Sequence, residues 1–411
     1  MKKLRRDVFI AAGAYTVSLG TGRREFNPRK PRPGLEEYII EAGQASLAQI
    51  SNPELIDEGV IANFMAARFN RQGNLAGFMP IIHPSLEFKP MVRVEGACGS
   101  GGLGVATGIK SVLAETADAV LVVGVEVQNT VKAVYGADIL ATAGYHAGER
   151  KEGHTYFFPN KFSMRAGAYY EKYGKEKARK GMATWYKNAV DNARLNPLAQ
   201  EHHNQAADLM ALGMTPPDGR FFTDHLNLFD CSKVSDGAAS LIVCSEEGYK
   251  KLGLTRADVV QVVGLGQAEA NLTTPPPVLT ELTTSRVASQ NAMKMAGLAL
   301  SDIDVFEVHD CFTITGLLAV EMLGIAQPGE GADVVASGAT TLTGAYPMNT
   351  GGGLVGYGHP VGASGVRMAV DVWKQLTGKA GAFQVPKPVQ HGLFLSMGGD
   401  DKTVVSAVLK K

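Results

Sequence analysis

Val94-Glu95-Gly96-Ala97-Cys98-Gly99-Ser100-Gly101-Gly102 sets a lone cysteine in a glycine cluster. Before it, Met91-Val92-Arg93-Val94 reads as a short strand; after it, Leu103, Val105, Ala106, Ile109, Val112 and Leu113 recur at helical spacing. A thiol at the start of a helix feels the positive end of the dipole and unpaired backbone N–H groups, which favour thiolate. The glycines permit a tight turn and keep side chains out of the way of a large substrate. Two readings stand at this point: a nucleophile, or a small buried cysteine beside a turn shaped by packing.

The same pattern returns in the second half. Tyr357-Gly358-His359-Pro360-Val361-Gly362-Ala363-Ser364-Gly365 leads into a helical stripe of Val366, Ala369, Val370, Trp373 and Leu376, with His359 in the position comparable to Cys98. Strand-like runs open each half at Val8–Ala11 and Val259–Val263, followed by helical stretches at Leu35–Ile50 and Leu282–Leu298. Ile56–Phe64 then matches Ile303–Phe312, and two further strands close each copy: Ala119–Val123 with Ala239–Val243, and Gly392–Leu395 with Val404–Val408. Continuous apolar strands alternating with helices predict α/β sheets covered on both faces. The chain reads as two copies of one βαβαβ-type unit.

The copies differ in one place. About a hundred residues separate two strands of the first copy whose counterparts are joined by a short turn, too long a span for a structureless loop. An inserted lobe is predicted, with helices including Ser163–Tyr173 and Met182–Leu195. The predicted organisation is 1–127 with 236–256 as the N-terminal half, 128–235 as the insertion and 257–411 as the C-terminal half. The insertion carries His146, His154, Tyr156, Phe157, Phe158, Phe221, Phe222 and His225. Most of these are expected to form the lobe's own core, with a substrate cover as the other reading.

Forty basic and forty acidic residues cancel, so no global field draws this chain to nucleic acid or to an anionic membrane surface. Four cysteines without paired metal-ligand spacing predict no metal site and a reducing compartment. The basic start, Met1-Lys2-Lys3-Leu4-Arg5-Arg6, precedes an apolar run that breaks at Gly13 and Thr16, which suits a first strand better than a secretory signal. No apolar stretch is long enough to span a bilayer. A cytoplasmic location is expected.

Three more segments carry candidate chemistry: Val308-His309-Asp310-Cys311-Phe312, Met348-Asn349-Thr350-Gly351-Gly352-Gly353 and Leu395-Ser396-Met397-Gly398-Gly399-Asp400. In α/β sheets, catalytic groups gather where strand ends feed helix starts. The triple glycine lacks the Gly-Lys-Ser/Thr ending of a phosphate loop. His202-His203 reads as solvated, and His83 and His391 as loop or strand-end residues.

Across essentially its whole length the chain resembles the thiolase family. The cysteine turn, Ser235-Asp236-Gly237-Ala238-Ala239 and the Gly-His-Pro-x-Gly-Ala-Ser-Gly run match family motifs in order, the last most specifically. His309-Asp310-Cys311-Phe312 resembles the sterol-carrier-type and archaeal-type branch. The resemblance implies a five-layered α-β-α-β-α core with an inserted loop domain, and a thiolase reaction. In that reaction coenzyme A cleaves a 3-oxoacyl-CoA, or the reverse Claisen condensation runs, through an acyl-Cys98 intermediate. By the same resemblance His359 takes the Cys98 proton, His309 and His359 face the thioester oxygen of the extending acyl-CoA, and the N–H groups of Cys98 and Gly399 face the oxygen of the acyl group on Cys98.

One departure matters. Most thiolases carry a cysteine as the α-proton acid/base where this chain has Met397, and a thioether transfers no proton. Cys311 is the available substitute; otherwise the chain is a non-catalytic acyl-CoA-binding subunit. Asp310 is expected to cap the following helix or orient a neighbour, and Glu307 is ambiguous. Lys161, Arg165, Lys187 and Arg194 are candidates for the coenzyme A phosphates. The resemblance extends to acetoacetyl-CoA and to branched or aromatic substrates such as benzoylsuccinyl-CoA, hence to β-oxidation or aromatic degradation. A ketosynthase- or hydroxymethylglutaryl-CoA synthase-like condensing enzyme is the rival, although no His-Gly-Thr-Gly-Thr run is present. A homodimer or higher oligomer, and a separate small zinc-ribbon/OB-fold partner, are further expectations of the resemblance.

Overall fold

β1 (Phe9–Tyr15) and β6 (Val260–Glu269) run antiparallel along the seam between the two halves, pairing Phe9 with Gln261 and Ile10 with Val260. The computed structural model describes residues 4–150 and 155–411, so His154, Lys2 and Lys3 lie outside the described residues. Among the described residues, nine strands form one continuous sheet in the order β3-β2-β4-β5-β1-β6-β9-β8-β7. The other strands are β2 (Glu58–Ala62), β3 (Met91–Val94), β4 (Ala119–Glu126), β5 (Gly237–Cys244), β7 (Val305–Val308), β8 (His391–Gly398) and β9 (Thr403–Lys410).

The order is a near-palindrome about the seam, which is the duplication seen from the side. β2 pairs parallel with β4, and β7 parallel with β8. β4 and β5 are antiparallel, as are β8 and β9. Only β3 lacks a full counterpart: in the second half a single bridge, Phe306 with Met348, stands in its place. The strands are apolar on both faces because both faces are covered, β4 and β5 being buried at every residue.

Helix α1 (Leu35–Leu47) covers the outside of the first half-sheet, and α5 (Thr283–Ala296) that of the second. Between the half-sheets lie α2 (Ser100–Leu113) and α7 (Val361–Thr377), packed on each other, which completes five layers. The glycines beside Cys98 are explained here rather than by substrate clearance. A Cβ on Gly101 would sit 2.6 Å from the Gly365 nitrogen, so the two central helices touch backbone to backbone.

The connection from β4 to β5 carries α3 (Phe157–Tyr173) and α4 (Lys175–Leu195), both starting earlier than their apolar periodicity suggests. Pro159 falls in the first turn of α3, where the missing N–H has no intrahelical partner anyway. After β7, α6 (Thr313–Met322) runs into the core, buried nearly all round. No helix among the described residues is long and apolar enough to cross a membrane.

Candidate active site

Cys98 sits in a single 3₁₀ turn, Ala97–Gly99, just before α2. Ala97 takes the left-handed conformation (φ 54°), and its N–H donates to Glu95 Oε1 at 2.5 Å. The thiol is pushed up to about 12 by burial, against the pull of the Gly399 and Cys98 N–H groups, with the Glu126 carboxylate adding to the rise. The thiolate expected from the helix dipole is therefore not the resting state: desolvation of the sulfur outweighs the end of one helix.

His359 is held by both ends of the inserted segment. Gln128 Nε2 donates to the His359 carbonyl at 2.8 Å and to the Ser235 carbonyl at 2.9 Å. The His359 N–H donates in turn to Ser235 Oγ at 3.0 Å. Asp236 accepts from the Gln128 and Asn129 N–H groups, so the Ser235-Asp236 pair ties the two chain crossings together beneath the imidazole. Burial lowers His359 to about 3, and its Nε2 has no partner.

His309 emerges where β7 ends, 2 % exposed, with neither ring nitrogen hydrogen-bonded. Burial, helped by the His359 and Arg367 charges, holds it well below the usual histidine range. The two imidazoles meet edge to face, centroids 5.2 Å apart. Cys98 Sγ and one nitrogen of each ring lie within 4.8 Å of one another. Among the described residues this is the group of three or more potential metal ligands, a Cys-His-His set that suits a soft divalent ion as well as a nucleophile with two acid/base partners.

Cys311 also reaches the site: the neighbouring Cys98 sulfur reinforces the rise in its pKa that burial causes. A cavity of about 420 Å³ has Cys98, Cys311, His359 and Gly399 in its walls. Met397 is fully buried in β8 and does not line it. The wall is mostly apolar, with Phe69, Tyr156, Phe158, Phe162, Phe222 and Phe312 contributing rings.

Three expectations need correction. Asp310 does not cap the helix after it: its carboxylate accepts from Trp185 Nε1 at 3.0 Å and from the Leu354 N–H at 2.6 Å, joining α4 to the π-turn Gly353–Tyr357. The triple glycine makes room for it, since a Cβ on Gly353 would lie 2.5 Å from Asp310 Oδ2. The insertion's aromatics are not mostly private core. Phe157 is, but Tyr156, Phe158 and Phe222 face the cavity, and Phe221 and His146 are exposed. Residues four apart share a helix face, so Phe158 and Phe162 of α3 point the same way, and Phe162 stacks on Phe312 at 4.5 Å.

The third correction concerns the cations. Arg165 is fully buried, bonded to Asp400 Oδ1 at 2.6 Å and to the Leu279 and Glu281 carbonyls. Lys161 pairs with Glu149, and Lys187 and Arg194 with Asp191. None of the four lines the cavity, where Lys233 is the lysine or arginine present. Glu307 is resolved as structural, accepting from the Thr350 N–H and lying 3.6 Å from buried Arg367.

Glu126 was not singled out by its sequence. It ends the apolar run of β4 and accepts from the N–H groups of Phe64, Met65 and Gly362 and from the Asn63 side chain. Burial raises it to about 7. Its signal was an acid closing an otherwise apolar strand. His83 and His391 lie half-buried and away from the cavity; His202 and His203, expected to be solvated, are half-buried too, with His202 Nδ1 buried.

Residues 267–411 match the family description "Thiolase C-terminal domain-like". An acetyl-CoA acetyltransferase of Methanothermobacter thermautotrophicus is 33 % identical over 378 residues, covering 91 % of this chain and 94 % of the relative. The benzoylsuccinyl-CoA thiolase subunit BbsB of Thauera aromatica is 27 % identical over 97 % of this chain and 96 % of its own. Among solved structures, the Ltp2-ChsH2(DUF35) aldolase superposes with a TM-score of 0.79 over 100 % of this chain and 99 % of that one, at 20 % identity.

Proposed function

This chain belongs to the thiolase family, acyltransferases that use coenzyme A as a substrate, and from that premise we propose that it cleaves a 3-oxoacyl-CoA through an acyl-Cys98 intermediate, or runs the reverse condensation. The observation that carries the reading is the Cys98–His309–His359 triangle under the cavity, with Nε2 of His359 bare.

The Cys98 proton passes to His359 Nε2 and the sulfur attacks the 3-oxo carbon. The oxygen of the tetrahedral adduct faces the Cys98 and Gly399 N–H groups, both of which pull the Cys98 thiol down against its burial. As the C2–C3 bond breaks, its electron pair passes to an enolate whose oxygen faces His309 and protonated His359. Cys311 gives its proton to C2 and the shortened acyl-CoA leaves. The thiol of a second coenzyme A then gives its proton to the Cys311 thiolate and takes the acyl group from Cys98, whose departing sulfur recovers its proton from His359.

The position of Cys311 in the cavity wall favours this over the ketosynthase-like reading, in which a second thiol has no task. It also answers the non-catalytic reading based on Met397. The ring-lined cavity suits a branched or aromatic acyl group better than an acetyl group, in keeping with the benzoylsuccinyl-CoA thiolase relative. Lys233, 3.5 Å from Glu201 Oε1, is the candidate for a coenzyme A phosphate because it lines the cavity.

We assign residues 128–235 as the lobe covering the substrate, between a first half of 1–127 with 236–256 and a second half of 257–411. A homodimer pairing at the half-exposed edge strand β3 and a small zinc-ribbon/OB-fold partner complete the proposal. The partner is supported by the structural neighbour whose name pairs it with ChsH2(DUF35). Four free thiols fit a cytoplasmic setting.

A panel of 3-oxoacyl-CoA substrates, assayed with and without neighbouring gene products, tests the reading, together with mass spectrometry for an acyl adduct on Cys98. Turnover that needs added coenzyme A and an adduct at Cys98 is the expected result. Absence of both across the panel overturns it.

A further inference from the structure

We propose that Arg165, on helix α3 of the inserted segment, is a positioning residue that sets the Gly399 N–H over Cys98 by holding the adjacent Asp400. The inference rests on the thiolase reading only for the chemistry it affects; the brace itself is geometric.

Gly399 lies in the tight turn between β8 and β9 and adopts the left-handed region (φ 64°). A Cβ there would come 2.8 Å from the Ala143 carbonyl, so the turn is pressed against the inserted segment. The next three side chains each anchor the turn to a different element. Asp400 accepts from Arg165 Nε at 2.6 Å. Asp401 accepts from the Thr284 and Ser285 N–H groups at the start of α5. Lys402 donates to the Asn271 and Thr274 carbonyls.

Only the first of these reaches the element that also walls the cavity, through Phe158 and Phe162 of the same helix. Arg165 has no solvent exposure and Asp400 is 3 % exposed. The Arg165 guanidinium is itself fixed by the Leu279 and Glu281 carbonyls, so it serves as a rigid post rather than a surface tether. An oxyanion donor acts through its position, and an ångström of drift weakens it sharply. The lobe over the substrate thus sets the donor beneath it.

The test compares Asp400→Asn, Arg165→Met and Arg165→Lys with the wild-type chain. Acetoacetyl-CoA and one aromatic 3-oxoacyl-CoA serve as acyl donors, and iodoacetamide at pH 9 as a probe of Cys98 that needs no oxyanion hole. For Asp400→Asn and Arg165→Met the expected result is about a 10-fold or greater fall in acylation rate per folded site. KM should stay within about twofold, and Arg165→Lys should recover part of the rate, because the ammonium holds one carboxylate oxygen without the fork. The Gly399 N–H also pulls the Cys98 thiol down, so losing its placement should slow iodoacetamide alkylation severalfold.

Unchanged acylation and alkylation per folded site in Asp400→Asn, with only a lower melting temperature, overturn the brace. Should Arg165→Met not fold, the isosteric Asp400→Asn carries the decision. Should wild-type chain show no acylation at all, the thiolase reading fails, while the alkylation arm still decides the brace.

Discussion

His359 Nδ1 lies 2.6 Å from Ser364 Oγ, a hydroxyl that also has the Pro360 carbonyl within hydrogen-bond reach at 3.0 Å. When the hydroxyl proton goes to that carbonyl, Nδ1 donates to Ser364 and Nε2 is left with its lone pair free. The residue that sets the tautomer of this proposed base sits five positions along, in the first turn of α7.

Ser364→Ala removes that selection. The imidazole then divides between two tautomers, and we expect about a 10-fold slower acylation of Cys98 with KM for the acyl-CoA within about twofold. Rapid-quench mass spectrometry of the acyl adduct measures both.

Cys311→Ala leaves Cys98 and His359, the proposed nucleophile and base, in place. Acylation of Cys98 should stay within a few-fold of wild type, while exchange of the α-protons of a bound acyl-CoA in deuterated water falls by about 100-fold or more. Exchange that survives the substitution assigns the α-proton to another group.

The pH dependence of Cys98 follows from the two opposed shifts. With the thiol near 12 and His359 near 3, the free protein holds a neutral thiol beside a neutral imidazole across the working range. Well below a raised thiol pKa, the thiolate fraction grows about tenfold per pH unit. Iodoacetamide alkylation should accordingly climb from pH 7 to 9.5 with a slope near one and no plateau. A plateau near neutrality would indicate a thiolate–imidazolium pair instead.

The same triangle predicts reversible inhibition by zinc. Bound to one sulfur and two imidazole nitrogens, zinc needs those atoms about 3.5 Å apart, a small contraction from the 4.8 Å limit observed. Micromolar Zn²⁺ should block Cys98 alkylation and a chelator should restore it, whereas His309→Ala should weaken the block.

Gly101→Ala should run against helix propensity. In an ordinary helix the change stabilises by about 1 kcal/mol. Here the new methyl meets the Gly365 backbone at 2.6 Å, and overpacking of that kind costs about 1–3 kcal/mol. A thermal melt several degrees below wild type is expected.

Much of the architecture was readable because local patterns repeat. Every matched pair of segments in the two halves appears as a pair of equivalent strands or helices, and Cys98 and His359 occupy equivalent turns before α2 and α7. The early starts of α3 and α4 escaped because capping residues and a first-turn proline carry no apolar periodicity. Glu126 escaped because a single carboxylate at a strand end reveals nothing of the four donors that converge on it from distant segments.

By itself the sequence determined the duplicated α/β plan, the long connection between β4 and β5 and which residues are candidates for the chemistry, since side-chain periodicity and residue type are local properties. Tertiary structure alone decided how those residues are set to work. Whether Cys98 rests as a thiol depends on how much water burial removes and on Glu126 nearby. Which nitrogen of His359 is bare depends on where one hydroxyl proton goes. Whether an aromatic ring is core or cavity wall depends on what the other side of its helix packs against. Each of these is a balance between desolvation and a few directed contacts from segments far apart in the chain, and only the folded chain brings them together.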